Sequence, residues 1–360
     1  MSADIVLLSR YEDQGASSRV RSYQYLPALE AAGLRVERRA MFANRYVAAR
    51  HRDRGATVSA SIAGYVRRAR QLTGLPRNAV LWIEYELLPW LPFGVERAFY
   101  ASRRPVVVDY DDAVFHRYGL HRSARVRHWL GDKIERIMRA ATIVVAGNDY
   151  LAQHARAAGA RHVEVLPSVV DLARYRQKQE FDASAFTVGW IGSPSTTPFL
   201  KAIEPALHDA RDIPGLSLRI VGGAPWTPAN IAVTAVPWSG DTEVDAMQSF
   251  DVGVMPLPDD PWARGKCGYK LIQYMGCALP VIASPVGANA TIVEHGRTGF
   301  LASSQAEWSE ALRALAGSPA LRRTMGAAGF DKARREYDLA VTEPRLVALF
   351  TKLVGAVRRG

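Results

Sequence analysis

Short apolar runs, each closed by proline, glycine or charge and many followed by a stretch of helical periodicity, recur along the whole chain, and nothing constrains its fold more. Ile5 to Leu8, Val80 to Ile83, Val106 to Asp109, Thr142 to Ala146 and Val163 to Leu166 have the length and Val/Ile content of strands buried on both faces. Among them lie helical patterns at Ser18 to Ala32, Ser59 to Thr73 and Ser123 to Ala141, and a further strand at Arg35 to Ala40. This alternation describes a parallel sheet wrapped by helices. A polar segment without periodicity, 167–186, interrupts it. The pattern then restarts, with strands at Thr187 to Ile191, Leu216 to Val221, Ile231 to Val236, Asp251 to Met255 and Pro280 to Ala283. The expected fold class is therefore α/β, with two doubly wound domains, 1–180 and 181–335, and a terminal helix over 336–360 packing back on the first. In doubly wound sheets ligands bind beyond the carboxyl ends of the strands, so two of them facing each other make a cleft lined by loops.

Composition limits what such a cleft can hold. A chain of 360 residues with 48% hydrophobic and 22% charged content has enough for two domains with cores. An excess of 46 Lys and Arg over 35 Asp and Glu gives a formal charge of +11, which favours nucleotides, nucleic acid or an anionic membrane face. Only Cys267 and Cys277 occur, with no metal-type Cys/His cluster, so neither a disulfide framework nor a structural zinc site is expected. No apolar run approaches the roughly 20 residues that span a bilayer. The N-terminus passes into ADIVLLS without a basic leader or cleavage site, so a cytoplasmic protein is expected.

Candidate binding residues sit just after the strands. The strongest group follows Asp251 to Met255, where Arg264, Lys266 and Lys270 bring three cations, with no acid among them, to the start of a helix. Gly265 and Gly268 let backbone approach a ligand there, and a helix N-terminus adds N–H donors, so pyrophosphate is the natural guest. Downstream, Gly287, Ala288 and Asn289 form a small-residue loop before a short helix, and a hairpin follows. After the first strand, Gly15 and Ala16 precede a helix that begins with Arg19 and Arg21, suited either to a phosphorylated ligand or to an ordinary capped turn. It is not a Walker loop, since GK[ST] is absent. Gly192 and Ser193 can meet phosphate oxygens, and Gly222 a base or ribose. In DYDDAVFH the carboxylates of Asp109, Asp111 and Asp112 can accept hydrogen bonds from sugar hydroxyls, hold a magnesium ion, or simply cap an acidic turn. His116 is a candidate base nearby.

The run MGCALPVIASPVGANATIVEHGRTGFLA, with GASSR near the start, the DDA turn and PWARGKCGYKLIQYM, resembles the nucleotide-sugar-dependent glycosyltransferases of family 4. The resemblance implies two Rossmann-like domains facing a cleft, the GT-B arrangement. It implies transfer of a sugar from a nucleotide diphosphate donor, with retention and without a metal or other cofactor. The acceptor would be a glycan or a lipid-linked glycan, in polysaccharide or lipopolysaccharide biosynthesis. On this resemblance Arg264 or Lys266, with Lys270, neutralises the diphosphate, while Gly15, Gly192 and Ser193 line the same pocket. Two departures stand out. The usual pair of glutamates falls at Gly265 and Gln273, leaving Gln273 to meet a ribose hydroxyl. The histidine common after the Val106 strand is replaced by the aspartates, so Asp111 and Asp112 become catalytic candidates, and Asp109, His116 and Arg19 acceptor-side ones. Basic stretches at YVRRARQL and HRSARVRHWLGDKIERIMRA also suit contact with an anionic membrane at its inner face. A sugar-nucleotide epimerase and a nucleic-acid binder are the competing classes. The first should show acid and base carboxylates in the cleft, and the second lacks a recognisable motif with stacking aromatics.

Overall fold

The structure, a computed structural model, describes residues 3–44, 46, 54–181, 184–228 and 231–359. Its chain divides into two compact units, Met1–Ser168 with Gly265–Cys267 and Thr342–Gly360, and Val169–Arg264 with Gly268–Val341. The division thus falls at 168/169 rather than at 180/181. The physical reason is that Leu172, Tyr175 and Phe181 pack into the core of the second unit. The terminal helix is Leu339–Arg359, and Glu336 instead ends the helix before it, Pro319–Glu336.

In the first unit, strands β1 (Ile5–Leu8), β2 (Val36–Arg38), β3 (Val80–Glu84), β4 (Val106–Tyr110), β5 (Ile143–Ala146) and β6 (Val163–Val165) form one sheet in the order β2-β1-β3-β4-β5-β6. Every pairing is parallel. Strands β1, β3, β4 and β5 are buried along their whole length, which is why they read as unbroken apolar runs. The terminal helix covers one face, with the Phe350 ring against Trp82 at 4.8 Å between ring centroids, tilted by 48°. Two helices expected to be continuous are broken. The first becomes Ala16–Arg21, a 3-10 turn Tyr23–Tyr25 and Leu26–Ala31, because Ser22 leaves helical geometry and its hydroxyl donates back to Ser18 O, with Pro27 opening the next turn. The second splits into Ala124–Leu130 and Lys133–Ala140 around Gly131.

The second unit contains β7 (Phe186–Ile191), β8 (Leu216–Val221), β9 (Ala232–Val236), β10 (Val252–Met255), β11 (Val281–Ala283) and β12 (Gly299–Leu301), ordered β12-β11-β10-β7-β8-β9, again all parallel. The expected hairpin near 299 is instead the parallel edge strand β12, too short to show a period. Counted along the chain this is the 3-2-1-4-5-6 order of dinucleotide-binding folds, with its reversal between β7 and β10. Capping residues fix several helix starts. Ser304 and Glu307 form a capping box for Gln305–Ala316, and Ser318 caps Pro319–Glu336. No helix among the described residues is long and apolar enough to cross a membrane.

Candidate functional site

Crossover direction reverses between β1 and β3 in the first unit and between β7 and β10 in the second, so the loops leaving these strands are where a ligand belongs. In the first unit that place is organised by a residue the motif search missed. Glu84, buried at the end of β3, accepts from Arg10 N (2.8 Å), Ser17 Oγ (2.7 Å) and Ser18 Oγ (2.5 Å). The small residues after β1 are therefore spent inside the protein. A Cβ on Gly15 would lie 2.3 Å from Tyr11 Cβ, so the glycine gives room to a tyrosine side chain. Ala16 is exposed as the first helical residue. Arg19 is half-buried on the same turn.

The acidic turn also differs from expectation. Asp109 is not presented to an acceptor: it is buried and clasped by Arg21 through Nε–Oδ1 (2.8 Å) and Nη2–Oδ2 (3.0 Å), while Arg21 Nη1 donates to Leu166 O at 2.7 Å. Burial holds the Asp109 carboxyl above its usual range against the pull of Arg21. Burial also works to lower the Arg21 pKa, but Asp109 more than reverses it. Asp111 accepts from the Tyr85 hydroxyl. Asp112 Oδ1 faces Lys266 Nζ at 3.6 Å, and burial raises this carboxyl while Lys266 opposes the shift. His116 Nε2 is 2.8 Å from Tyr150 Oη. Asn148 anchors the segment Gly265–Cys267, which belongs to this unit: its Nδ2 donates to Gly265 O (2.9 Å) and Lys266 O (3.1 Å), while its Oδ1 caps the helix Asp149–Ala157.

The three cations are thus not an isolated positive cluster. Lys266 is matched with Asp112, and Arg264 makes a two-point pair with Asp259, Nε–Oδ1 2.6 Å and Nη2–Oδ2 3.0 Å. Nor do Lys266 and Lys270 share a helix face, because the helix is Tyr269–Gly276 and Gly268 before it is left-handed, φ +67°. Arg264 and Lys270 remain in the second unit. The Arg264–Asp259 pair is exposed and solvent-screened, so a phosphate can exchange for the carboxylate.

Around the β7/β10 reversal the second unit gathers the rest. Lys270 Nζ lies 5.4 Å from the centroid of the buried Trp190 ring. Gly192, one residue past β7, lies against both: a Cβ there would be 2.5 Å from Trp190 Cη2 and 2.8 Å from Lys270 Cε. Ser193 is exposed, its Oγ 2.9 Å from Ser195 Oγ. Gly222, after β8, is left-handed, and a Cβ would meet Gly192 O at 2.6 Å. Gly287, with φ +55°, lets the following loop pass against Arg264 O. Two of the expected donor-side residues are buried. Gln273 is buried against Tyr175, its Nε2 3.4 Å from Oη, and Asn289 is fully buried with Nδ2 on Ser284 O at 3.1 Å. Asn289 Oδ1 is buried without a hydrogen-bond partner. Ala288 caps the short helix Asn289–Ile292 by backbone alone. Among the described residues no group of three or more His, Cys, Asp or Glu is arranged to hold a metal ion.

A solved structure of the HepE protein of Anabaena, in complex with UDP, is similar in fold. It is 16% identical, with a TM-score of 0.66 over 97% of this chain and 100% of that one, and the shared two-sheet architecture is GT-B. Residues 185–318, which apart from Gly265–Cys267 lie within the second unit, match the family model described as Glycosyl transferases group 1. The chain is also similar to the D-inositol 3-phosphate glycosyltransferase of Pseudarthrobacter chlorophenolicus, 33% identical over 105 residues, 28% of this chain and 24% of that protein. The Rhodococcus opacus protein of the same name is 26% identical over 204 residues, 48% of this chain and 44% of its own. The chain thus spans less than half the length of these curated relatives.

Proposed function

We propose that the protein is a group 1 glycosyltransferase. It transfers a sugar from a nucleotide diphosphate-sugar to a glycan or lipid-linked acceptor, with retention, in polysaccharide or lipopolysaccharide biosynthesis at the inner face of the cytoplasmic membrane. The observation that carries this reading is that the family match, 185–318, contains both loops of the β7/β10 reversal, with Gly192, Arg264 and Lys270. Departure of the nucleotide diphosphate leaves an oxocarbenium-like sugar and builds negative charge on the β-phosphate. Lys270 and Arg264 stabilise that growing charge, and no metal or other cofactor is called for. Lys270 is held in place by Trp190, whereas Arg264 is drawn from Asp259 as the donor arrives. The leaving phosphate accepts the acceptor hydroxyl's proton as that oxygen bonds to the anomeric carbon on the same face. Asp111 and Asp112 are left as the carboxylates for sugar hydroxyls, since Asp109 is committed to Arg21.

Replacement tests the assignment. Lys270→Ala and Arg264→Ala should each lower transfer from the cognate donor by about 100-fold or more, the scale set by loss of one charge-stabilising group, with little change in thermal midpoint. Near-normal turnover in both variants would remove these residues from the diphosphate site.

A further inference from the structure

Two basic, partly apolar surfaces are built into the first unit, and their charge balance differs. On the helix Arg54–Thr73, Val58, Ile62 and Val66 are exposed at intervals of four, but the neighbouring Arg67 is 3.5 Å from Glu12, and Glu37 lines the same surface. Acids there cut the positive field. The second surface has none: from Ala113 to Gly131 the chain contains no Asp, Glu, Asn or Gln, while Arg122, Arg125 and Arg127 are exposed. One exposed acid, Asp132, directly follows this segment. Glu86 and Glu96 are buried, and Asp132 is paired with Arg136.

Three of the nine exposed large apolar side chains among the described residues lie in this segment or in ring contact with it: Trp129 (66% exposed), Leu120 (62%) and Trp90 (46%). Trp90 is joined to the rest by ring contacts with Tyr118 (5.2 Å) and His121 (5.8 Å). Its exposure is enforced. Trp90 has φ +62°, a conformation that costs a bulky L residue energy, and the backbone of 85–91 is tied down by side chains from elsewhere. Leu87 N and Leu88 N donate to Glu96 Oε2, Lys133 Nζ donates to Leu88 O, and Trp90 N donates to the Tyr118 hydroxyl. That hydroxyl donates in turn to Glu86, which is paired with Lys133 at 2.7 Å. A buried network thus fixes the backbone that carries the Trp90 indole.

We propose that the face carrying Trp90, Leu120, Trp129, Arg122 and Arg125 docks on an anionic lipid bilayer. Tryptophan and leucine enter the headgroup boundary while arginines meet lipid phosphates, and the positive face has the complementary charge. A saccharide platform would need carboxylate or amide acceptors beside the indole for sugar hydroxyls, and the 113–131 segment has none. This inference deepens the proposed function by naming the surface that would bring a lipid-linked acceptor within reach, and it rests on that reading.

The test is flotation of the full chain with phosphatidylcholine vesicles, with and without phosphatidylglycerol, at about 0.1 M salt, a condition in which surface charge is felt over about 10 Å. Binding should require phosphatidylglycerol. It should fall about 20-fold or more in Arg122→Gln/Arg125→Gln, at roughly fivefold per arginine, and should fall also in Trp129→Ser. Val58→Ser/Ile62→Ser should leave it unchanged. No binding of the unaltered chain, equal binding by the surface variants, or a dimer dissolved by Trp129→Ser would each overturn the proposal. A thermal shift with UDP, GDP, ADP and dTDP on the same preparations separates the two readings. Nucleotide binding without vesicle binding removes this surface alone, and vesicle binding without any nucleotide response removes the functional reading alone.

Discussion

Arg21 and Asp109 show how one buried pair decides what a motif can do. Both are nearly inaccessible, and their two-point contact lets a carboxylate sit inside the buried strand β4. Removing one partner strands the other charge, which in buried pairs costs about 3–5 kcal/mol. Arg21→Leu should therefore lower the urea midpoint by a corresponding amount, and any loss of transfer should follow the loss of folded protein. A variant of unchanged stability but impaired transfer would instead return Asp109 to the ligand. Spacing made Asp109, Asp111 and Asp112 look equivalent. Their separation depends on Arg21 and Tyr85, at distant sequence positions that no local pattern relates. Glu84 and Asn148 were hidden for the same reason. The cations Arg264 and Lys266 stood out in the sequence, but their acidic partners Asp259 and Asp112 did not.

At the scale of elements, the segment 85–91 is irregular backbone kept in place by buried charge. Burial pushes Glu96 up to about 7, Lys133 opposing and Glu86 adding to the rise. A carboxyl raised in the folded state contributes stability that is complete below its ordinary 4.5 and is lost as pH climbs through about 7. Thermal midpoints should thus decline across that interval, and Glu96→Gln should flatten the decline. An unchanged slope would mean that Glu96 is ionised throughout. The helix Tyr269–Gly276 offers a second case. Its start is set by Gly268 at φ +67°, where a Cβ would fall 2.2 Å from Ile292 Cδ1. Gly268→Ala should weaken nucleotide binding, seen by calorimetry, by moving Lys270. The central strands were readable because burial makes most of their residues apolar, whereas the breaks at Ser22 and Gly131 depend on single-residue geometry that periodicity does not register.

Across the whole molecule, two parallel sheets with different strand orders each reverse direction once, and the second reversal lies inside the family match. From Thr342 on, the terminal helix belongs to the first unit, and its Phe350 lies against Trp82. Phe350→Ala empties a fully buried site, a change that typically costs about 3–5 kcal/mol, and should open the first unit to proteolysis before the second. Simultaneous cleavage of both units would show that they unfold together. The central claim concerns the second unit and is tested most directly by calorimetry of the full chain with UDP, GDP, ADP, dTDP and their common sugars. One diphosphate series should bind, and Lys270→Ala should abolish that binding. Binding that survives this replacement, or no response to any of the four series, would contradict it.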